Sequence, residues 1–180
     1  MHALACGALL PERVVGSVCV SSLAPFAHSG LEWFAGMAPA GEAELRAAAA
    51  GRQALADHLA AADFDLSVFT DADMAALKGP WLWLWNVAGK GMRSGPDGMI
   101  DDDLALVSDW GFEPNSVSTP VLFVHGGEDR IAPLAHAMWL AGRCPLGELW
   151  MRPEDGHVSA LSSAAAAMEW VTEHAATTAT

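Results

Sequence analysis

The sequence predicts an α/β fold: a short parallel sheet of about three strands, flanked by helices and interrupted by a long helical insertion. Three observations carry this. Two apolar runs, at residues 14–22 and 121–124, lack the alternation of half-exposed strands and read as strands buried on both faces. A third short strand, 148–151, follows the second across a stretch of helical composition. The resulting order of strand, insertion, strand, helix, strand, helix is the one from which parallel sheets are built.

Each element has its own local reason. Residues 2–10, rich in Ala and Leu, predict a helix that Pro11-Glu12-Arg13 ends. The β-branched run 14–22 is the first strand, and Pro25 with its small neighbours is a loop. From residue 30 to about 109 the pattern turns helical. Residues 31–37 are a short helix candidate, and 41–62 read as one long helix with Leu45, Leu55 and Leu59 at helical spacing. Residues 64–69 are irregular. Residues 71–85 form a further helix interrupted at Gly79-Pro80, 89–98 a glycine-rich loop, and 100–107 an acidic helix start that suits the helix dipole. After Pro120 come the strand 121–124, a helix 134–143 opened by Pro133, and the strand 148–151. A loop at 153–157 then leads to a closing helix, 158–174, with Leu161, Met168 and Val171 on one face. The tail from Ala175 is expected to fray. There is no internal repeat.

Composition bounds the function. A chain of 180 residues that is 52% apolar is long enough for one domain with a sizeable core. A net charge of −13, with nine Lys and Arg, disfavours binding to a phosphate backbone, so no nucleic-acid partner is expected. No apolar run approaches the roughly 18–20 residues that span a bilayer, and no membrane association is expected. The apolar N-terminus has no preceding Lys or Arg and no clear small-residue cleavage site, so a secretory signal is not expected. Cys6, Cys19 and Cys144 are odd in number and widely spaced, which reads as buried free thiols in a reducing cytoplasm. The mean hydropathy of +0.25 is high for such a chain and suggests apolar surface that expects a partner.

Two residues stand out chemically. Asp129 lies just past the carboxyl end of the second apolar strand, after Gly126-Gly127, where open α/β sheets place their sites. There it can accept the Nδ1–H of a histidine and fix its tautomer; equally, it can form a turn or cap before the helix at Pro133. His157 follows the next strand in Pro153-Glu154-Asp155-Gly156-His157, 28 residues on, the span of one strand–helix–strand unit. A histidine there can take a proton from a nucleophile and return it to a leaving group. Asp155 and Glu128 are weaker candidates for orienting it. His125, at a strand end, reads as structural. His2 stands near where a missing nucleophile would lie, and His28, His58, His136 and His174 are scattered without metal-ligand spacing, so no metal site is expected. Trp81 and Trp85, with Trp33 and Phe34, are candidates to line an apolar substrate pocket, although such clusters more often serve packing.

The segments 121–133 and 153–157 resemble the acid-bearing turn and the histidine loop of the α/β-hydrolases. Residues 3–10, 11–14 and 18–25 resemble that family's helix after the nucleophile and the strand that follows it. The resemblance implies a partial α/β-hydrolase fold, with residues 1–29 and 110–180 as the core and 30–109 as a helical cap insertion over the site. It implies hydrolysis of an ester or related bond in an apolar small molecule, Asp129 orienting His157 as general base, and no cofactor. The departure is the nucleophile. Gly-x-Ser-x-Gly is absent, and Ser17, Ser29 and Ser94 each have at most one flanking glycine at the wrong spacing. A glycine-rich oxyanion segment is absent too. The sequence thus resembles the C-terminal half of such an enzyme, starting just after the nucleophile, and relatives with Ser or Asp nucleophiles fit equally. Inactivity of the chain alone is the expectation. The alternative is a non-catalytic fragment that pairs with an N-terminal half, or self-associates, through the strand edge at 14–22.

Overall fold

A computed structural model describes residues 1–27 and 30–178, with side chains as far as His174. His28 and Ser29 lie outside the described residues, as do residues 179–180. Three parallel strands, β1 (Ser17–Val20), β2 (Val121–Gly126) and β3 (Gly147–Arg152), form one sheet in the order β1-β2-β3. Ser17 pairs with Val121, and Val121 with Gly147. Every residue of the central strand β2 is buried, as its unbroken apolar run predicts. β1 is shorter than the run 14–22, because Val15 is already 52% exposed outside the ladder.

The described residues also form eight α-helices: α1 (His2–Leu9), α2 (Pro39–Ala50), α3 (Arg52–Ala61), α4 (Asp71–Lys78), α5 (Leu82–Gly91), α6 (Asp97–Val107), α7 (Leu134–Arg143) and α8 (Ala164–Thr178). The two-residue period of the strands sorts their side chains into two cores. Cys19, Val121 and Phe123 meet Leu4 of α1 and Ala137 and Leu140 of α7 on one face. Leu122 and Val124 meet Ala167 and Trp170 of α8 on the other. Fully burying a Leu, Val or Phe side chain contributes about 1.5–3 kcal/mol. The result is helix, sheet and helix in three layers, with the carboxyl ends of β2 and β3 side by side.

Several local expectations need correction. Residues 31–37 are turns held by Ala35 N–H to the Glu32 carbonyl and Met37 N–H to the Phe34 carbonyl. The long helix 41–62 is two helices, since Gly51 adopts φ 112°, outside any helix, between α2 and α3. The loop expected at 89–98 is mostly helical: α5 runs to Gly91 and α6 starts at Asp97. A glycine costs a helix about 1 kcal/mol and does not forbid it. The closing helix opens as a 3-10 turn, Ser159–Ser163, and α8 continues through the tail to Thr178. Its buried positions are Ala167 and Trp170, with Val171 beside them, while Met168 is 62% exposed. Cys19 and Cys144 are buried, and burial pushes both thiols up to about 11, but Cys6 is exposed on α1. No helix among the described residues is long and apolar enough to cross a membrane.

The insertion has its own core, in which α2, α3 and α6 meet at Ala48, Leu55 and Ile100. Trp33, Met37 and Leu45 form a second cluster, with Leu106 and Val107 of α6 packed against it. One polar pair lies in this interface. Asp103 of α6 is buried, and its Oδ2 has no hydrogen-bond partner. Burial, then the neighbouring Glu44 of α2, pushes its carboxyl from 3.8 up to about 7, and burial raises Glu44 as well. The folded chain therefore holds a proton there that the unfolded chain has already released between about pH 4 and about pH 7. Stability falls as pH rises through that window, and the loss persists above it. The melting temperature is expected to drop between pH 5 and pH 8, and the drop to shrink in Asp103→Asn, read by thermal melts of both proteins.

Candidate active site

Asp129 and His157 come together at the carboxyl ends of neighbouring strands. Asp129 sits in the turn after β2 because Gly126-Gly127 lets the chain pass under the histidine loop. A Cβ on Gly126 would collide with the carbonyls of Asp155 and Gly156, and one on Gly127 would lie 2.5 Å from the Pro153 carbonyl oxygen. The turn then folds back on the carboxylate: Ile131 N–H at 2.9 Å and Ala132 N–H at 2.8 Å both donate to Asp129 Oδ1. The turn-forming role and the histidine-orienting role are thus filled by the same side chain.

The ring of His157 places Nδ1 3.0 Å from Asp129 Oδ2 and 3.2 Å from Oδ1. With Nδ1–H donating to the carboxylate, Nε2 across the ring is left as the basic nitrogen. The Asp129 side chain is fully buried, whereas that of His157 is 30% exposed. A buried carboxylate that fixes a partly exposed imidazole can hold a proton acceptor ready for a hydroxyl or a water. The other candidate orienters are occupied elsewhere or point out. Asp155 accepts from Arg152 Nε at 3.0 Å, and Glu128 is exposed.

The backbone of His157 is held as firmly as its ring. Its carbonyl accepts a hydrogen bond from Ser21 Oγ at 2.8 Å, and its N–H donates to Asp73 Oδ2 at 3.1 Å. Ser21 follows β1 with φ 51°, a left-handed conformation uncommon for a non-glycine residue, and its N–H donates to the Val124 carbonyl at 3.0 Å. Neither residue was legible as part of the site. Thr70-x-x-Asp73 before an apolar run announces a helix cap, but nothing local announces a partner 84 residues away.

His125 and His136 are structural in their contacts. His125 is fully buried and donates from Nε2 to the Ala132 carbonyl at 2.6 Å; burial holds it below its ordinary pKa against the opposing pull of that carbonyl and of Asp129. His136 accepts from Ala24 N–H at Nδ1 and bonds the Trp33 carbonyl through Nε2 at 2.8 Å, and burial lowers it to about 4. Both are neutral braces under the site. Among the described residues no group of three or more His, Cys, Asp and Glu is arranged to hold a metal.

The four candidate aromatics fall into two groups. Trp33 is buried, donates from Nε1 to the Ala24 carbonyl and meets Phe34 edge to face at 5.0 Å, with Arg46 over the Phe34 ring. Trp81 and Trp85 lie at α5, near Trp83 and Phe64 respectively; Trp85 is exposed. Of the serines considered for chemistry, Ser17 is buried and points its Oγ at the Ala3 carbonyl, and Ser94 is exposed in a turn.

No family model matches the sequence, and no curated protein matches it. Solved structures do. The chain superposes on an α/β-hydrolase enzyme from a deep-sea metagenome library with TM-score 0.58 and 20% identity, over 96% of this chain and 60% of that one. It matches an enol-lactonase from Burkholderia xenovorans LB400 with TM-score 0.57 and 18% identity, over 96% and 60%. It matches a thermophilic esterase from Thermogutta terrifontis with TM-score 0.56 and 17% identity, over 96% and 61%. The chain spans about 60% of the length of these structures. At such identities the likeness concerns the fold, and by it the chain is built on part of the α/β-hydrolase fold.

Proposed function

We propose that this chain carries the acid and the general base of a hydrolytic site that cleaves an ester or related bond in an apolar small molecule. The observation that carries the reading is the Asp129–His157 contact at 3.0 Å, with the carboxylate buried and the imidazole partly exposed. In this reading Asp129 fixes the Nδ1–H tautomer. His157 Nε2 takes the proton of a nucleophilic hydroxyl as that oxygen attacks the carbonyl carbon. It then returns the proton to the leaving oxygen as the carbon–oxygen bond breaks, and a water deprotonated by the same nitrogen cleaves the acyl-enzyme and restores the hydroxyl. Residues 30–109 serve as the cap, and Trp81 and Trp85, beside the exposed Leu82 and Trp83, offer apolar surface for an acyl or alkyl group. Among these 180 residues no serine stands in a Gly-x-Ser-x-Gly context, so in this reading the chain alone is inactive.

A fluorophosphonate, which modifies serines activated by a histidine base, tests this. The 180-residue chain is expected to take up no label. A form carrying a Gly-x-Ser-x-Gly strand and turn ahead of α1 is expected to be labelled at that serine, with labelling falling at least about 1,000-fold in His157→Gln. Stoichiometric label on a serine of the chain itself, indifferent to His157→Gln, overturns the reading.

One observation favours a second, non-catalytic reading. β1 is an edge strand among the described residues, with Leu9, Leu10 and Val15 exposed near its start. Such an edge can accept a strand from an N-terminal half or from a second copy. Size-exclusion chromatography is expected to show self-association that rises with concentration; a monomer at every concentration counts against it.

A further inference from the structure

Asp73 has no place in the acid–base pair, yet it is among the most deeply buried charged groups described. It is 1% exposed, on α4 of the insertion, and no cation is among its hydrogen-bond partners. Its Oδ2 accepts from Thr70 N–H at 3.1 Å and His157 N–H at 3.1 Å. Its Oδ1 accepts from Val158 N–H at 2.8 Å, Ser159 N–H at 2.8 Å and Ser159 Oγ at 2.9 Å. A buried carboxylate is costly unless its lone pairs are filled, and here they are filled almost wholly by the segment that bears His157. Burial alone would raise this carboxyl, but the donors of Ser159, Thr70 and Val158 together hold it below its ordinary value.

Two further features show that the contact is built rather than incidental. Gly156, immediately before His157, has no room for a side chain: a Cβ there would collide with the Asp73 carboxylate and with Thr70 Oγ1. Ser159 faces both ways, donating to Asp73 while accepting from Gly156 N–H at 2.7 Å. The reach of α4 into the loop thus depends on a glycine, a hydroxyl and three consecutive backbone N–H groups.

We propose that Asp73 is a positioning residue for His157, which ties the helical insertion to the histidine loop and sets the height of the imidazole over Asp129. This rests on the reading of Asp129 and His157 as an acid–base pair. Asp73 touches no reacting atom. It fixes the N–H of His157 while Ser21 fixes the carbonyl, so the ring can pivot only about its own side-chain bonds. A displacement of α4 is thereby transmitted to the base through one carboxylate, which makes the insertion able to set the site as well as cover it.

The test uses the full chain and two readouts: the low-field proton of His157 Nδ1–H by NMR, and amide hydrogen exchange at 157–159. In Asp73→Asn the amides are expected to exchange at least about tenfold faster, as follows from losing hydrogen bonds to a charged group, and the low-field proton to weaken or vanish. Gly156→Ala is expected to do the same, and the double variant to add little, since both break one contact. Ile100→Val loosens the core of the insertion without touching the clamp and is expected to move neither readout. An Asp73→Asn spectrum with the wild-type proton and wild-type exchange overturns the proposal, as does Ile100→Val reproducing both changes. If Asp73→Asn does not fold, Ser159→Ala, which deletes one donor, decides in the same way with a smaller acceleration. A wild-type protein with no low-field proton sensitive to Asp129→Asn instead overturns the acid–base reading, and the positioning role with it.

Discussion

Gly126→Ala is expected to separate Asp129 from His157 while leaving both side chains in the sequence. The added methyl would run into the carbonyls of Asp155 and Gly156, which are backbone and cannot swing aside as a side chain tip can. The histidine loop has to retreat as a unit. It then strains against its hydrogen bonds to Asp73 and Ser21. The expected cost is about 3 kcal/mol of stability, the upper end for overpacking, with loss of the His157 Nδ1–H signal. Urea denaturation and NMR of the same sample check both parts. A variant as stable as the parent, with that signal intact, would show that the loop has slack the close contacts deny.

Phe123→Ala is expected to cost about 3–5 kcal/mol, the range for deleting a large side chain from a packed core. Phe123 is fully buried in the middle of β2 and packs in the cluster that joins α1, α7 and the sheet. In a chain of this length the melting temperature should fall by roughly 10 °C. Met168→Ala is the matched control: Met168 is 62% exposed, so its loss should change stability by less than about 0.5 kcal/mol. The reverse order of effects would put α8 on the sheet by the face first read from the sequence.

Where local physics decides, the sequence is readable. β2 and α7 follow from an unbroken apolar run and from Pro133 at the helix's N-cap, and the glycine breaks after β2 and β3 mark where Asp129 and His157 leave the sheet. The misreadings have a common cause. Gly51 splits a helix by a conformation that no neighbour announces, whereas Gly89 and Gly91 stay helical. The buried face of α8 is chosen by the sheet beneath it, where Ala167, Trp170 and Val171 meet Leu122 and Val124. Asp73 and Ser21 are local capping and turn residues by composition, and only the assembled fold shows that each also binds His157.

Those last two contacts also bear on how the molecule comes together in time. Asp73 lies 84 residues from His157 and Ser21 lies 136, so the histidine loop is closed by long-range bonds. Contacts of that separation form late, because the chain entropy of closing them is lost before they return anything. β2, α7 and β3 can assemble from near neighbours, whereas β1, which pairs Ser17 with Val121, has to arrive from as far along the chain as Ser21 and Asp73. The imidazole reaches its seat only when β1, the insertion and the last strand have all arrived. A folding intermediate with only β2, α7 and β3 in place would therefore hold Asp129 in its turn with no base fixed above it. Stopped-flow refolding should show the loop's protection appearing in the slowest phase.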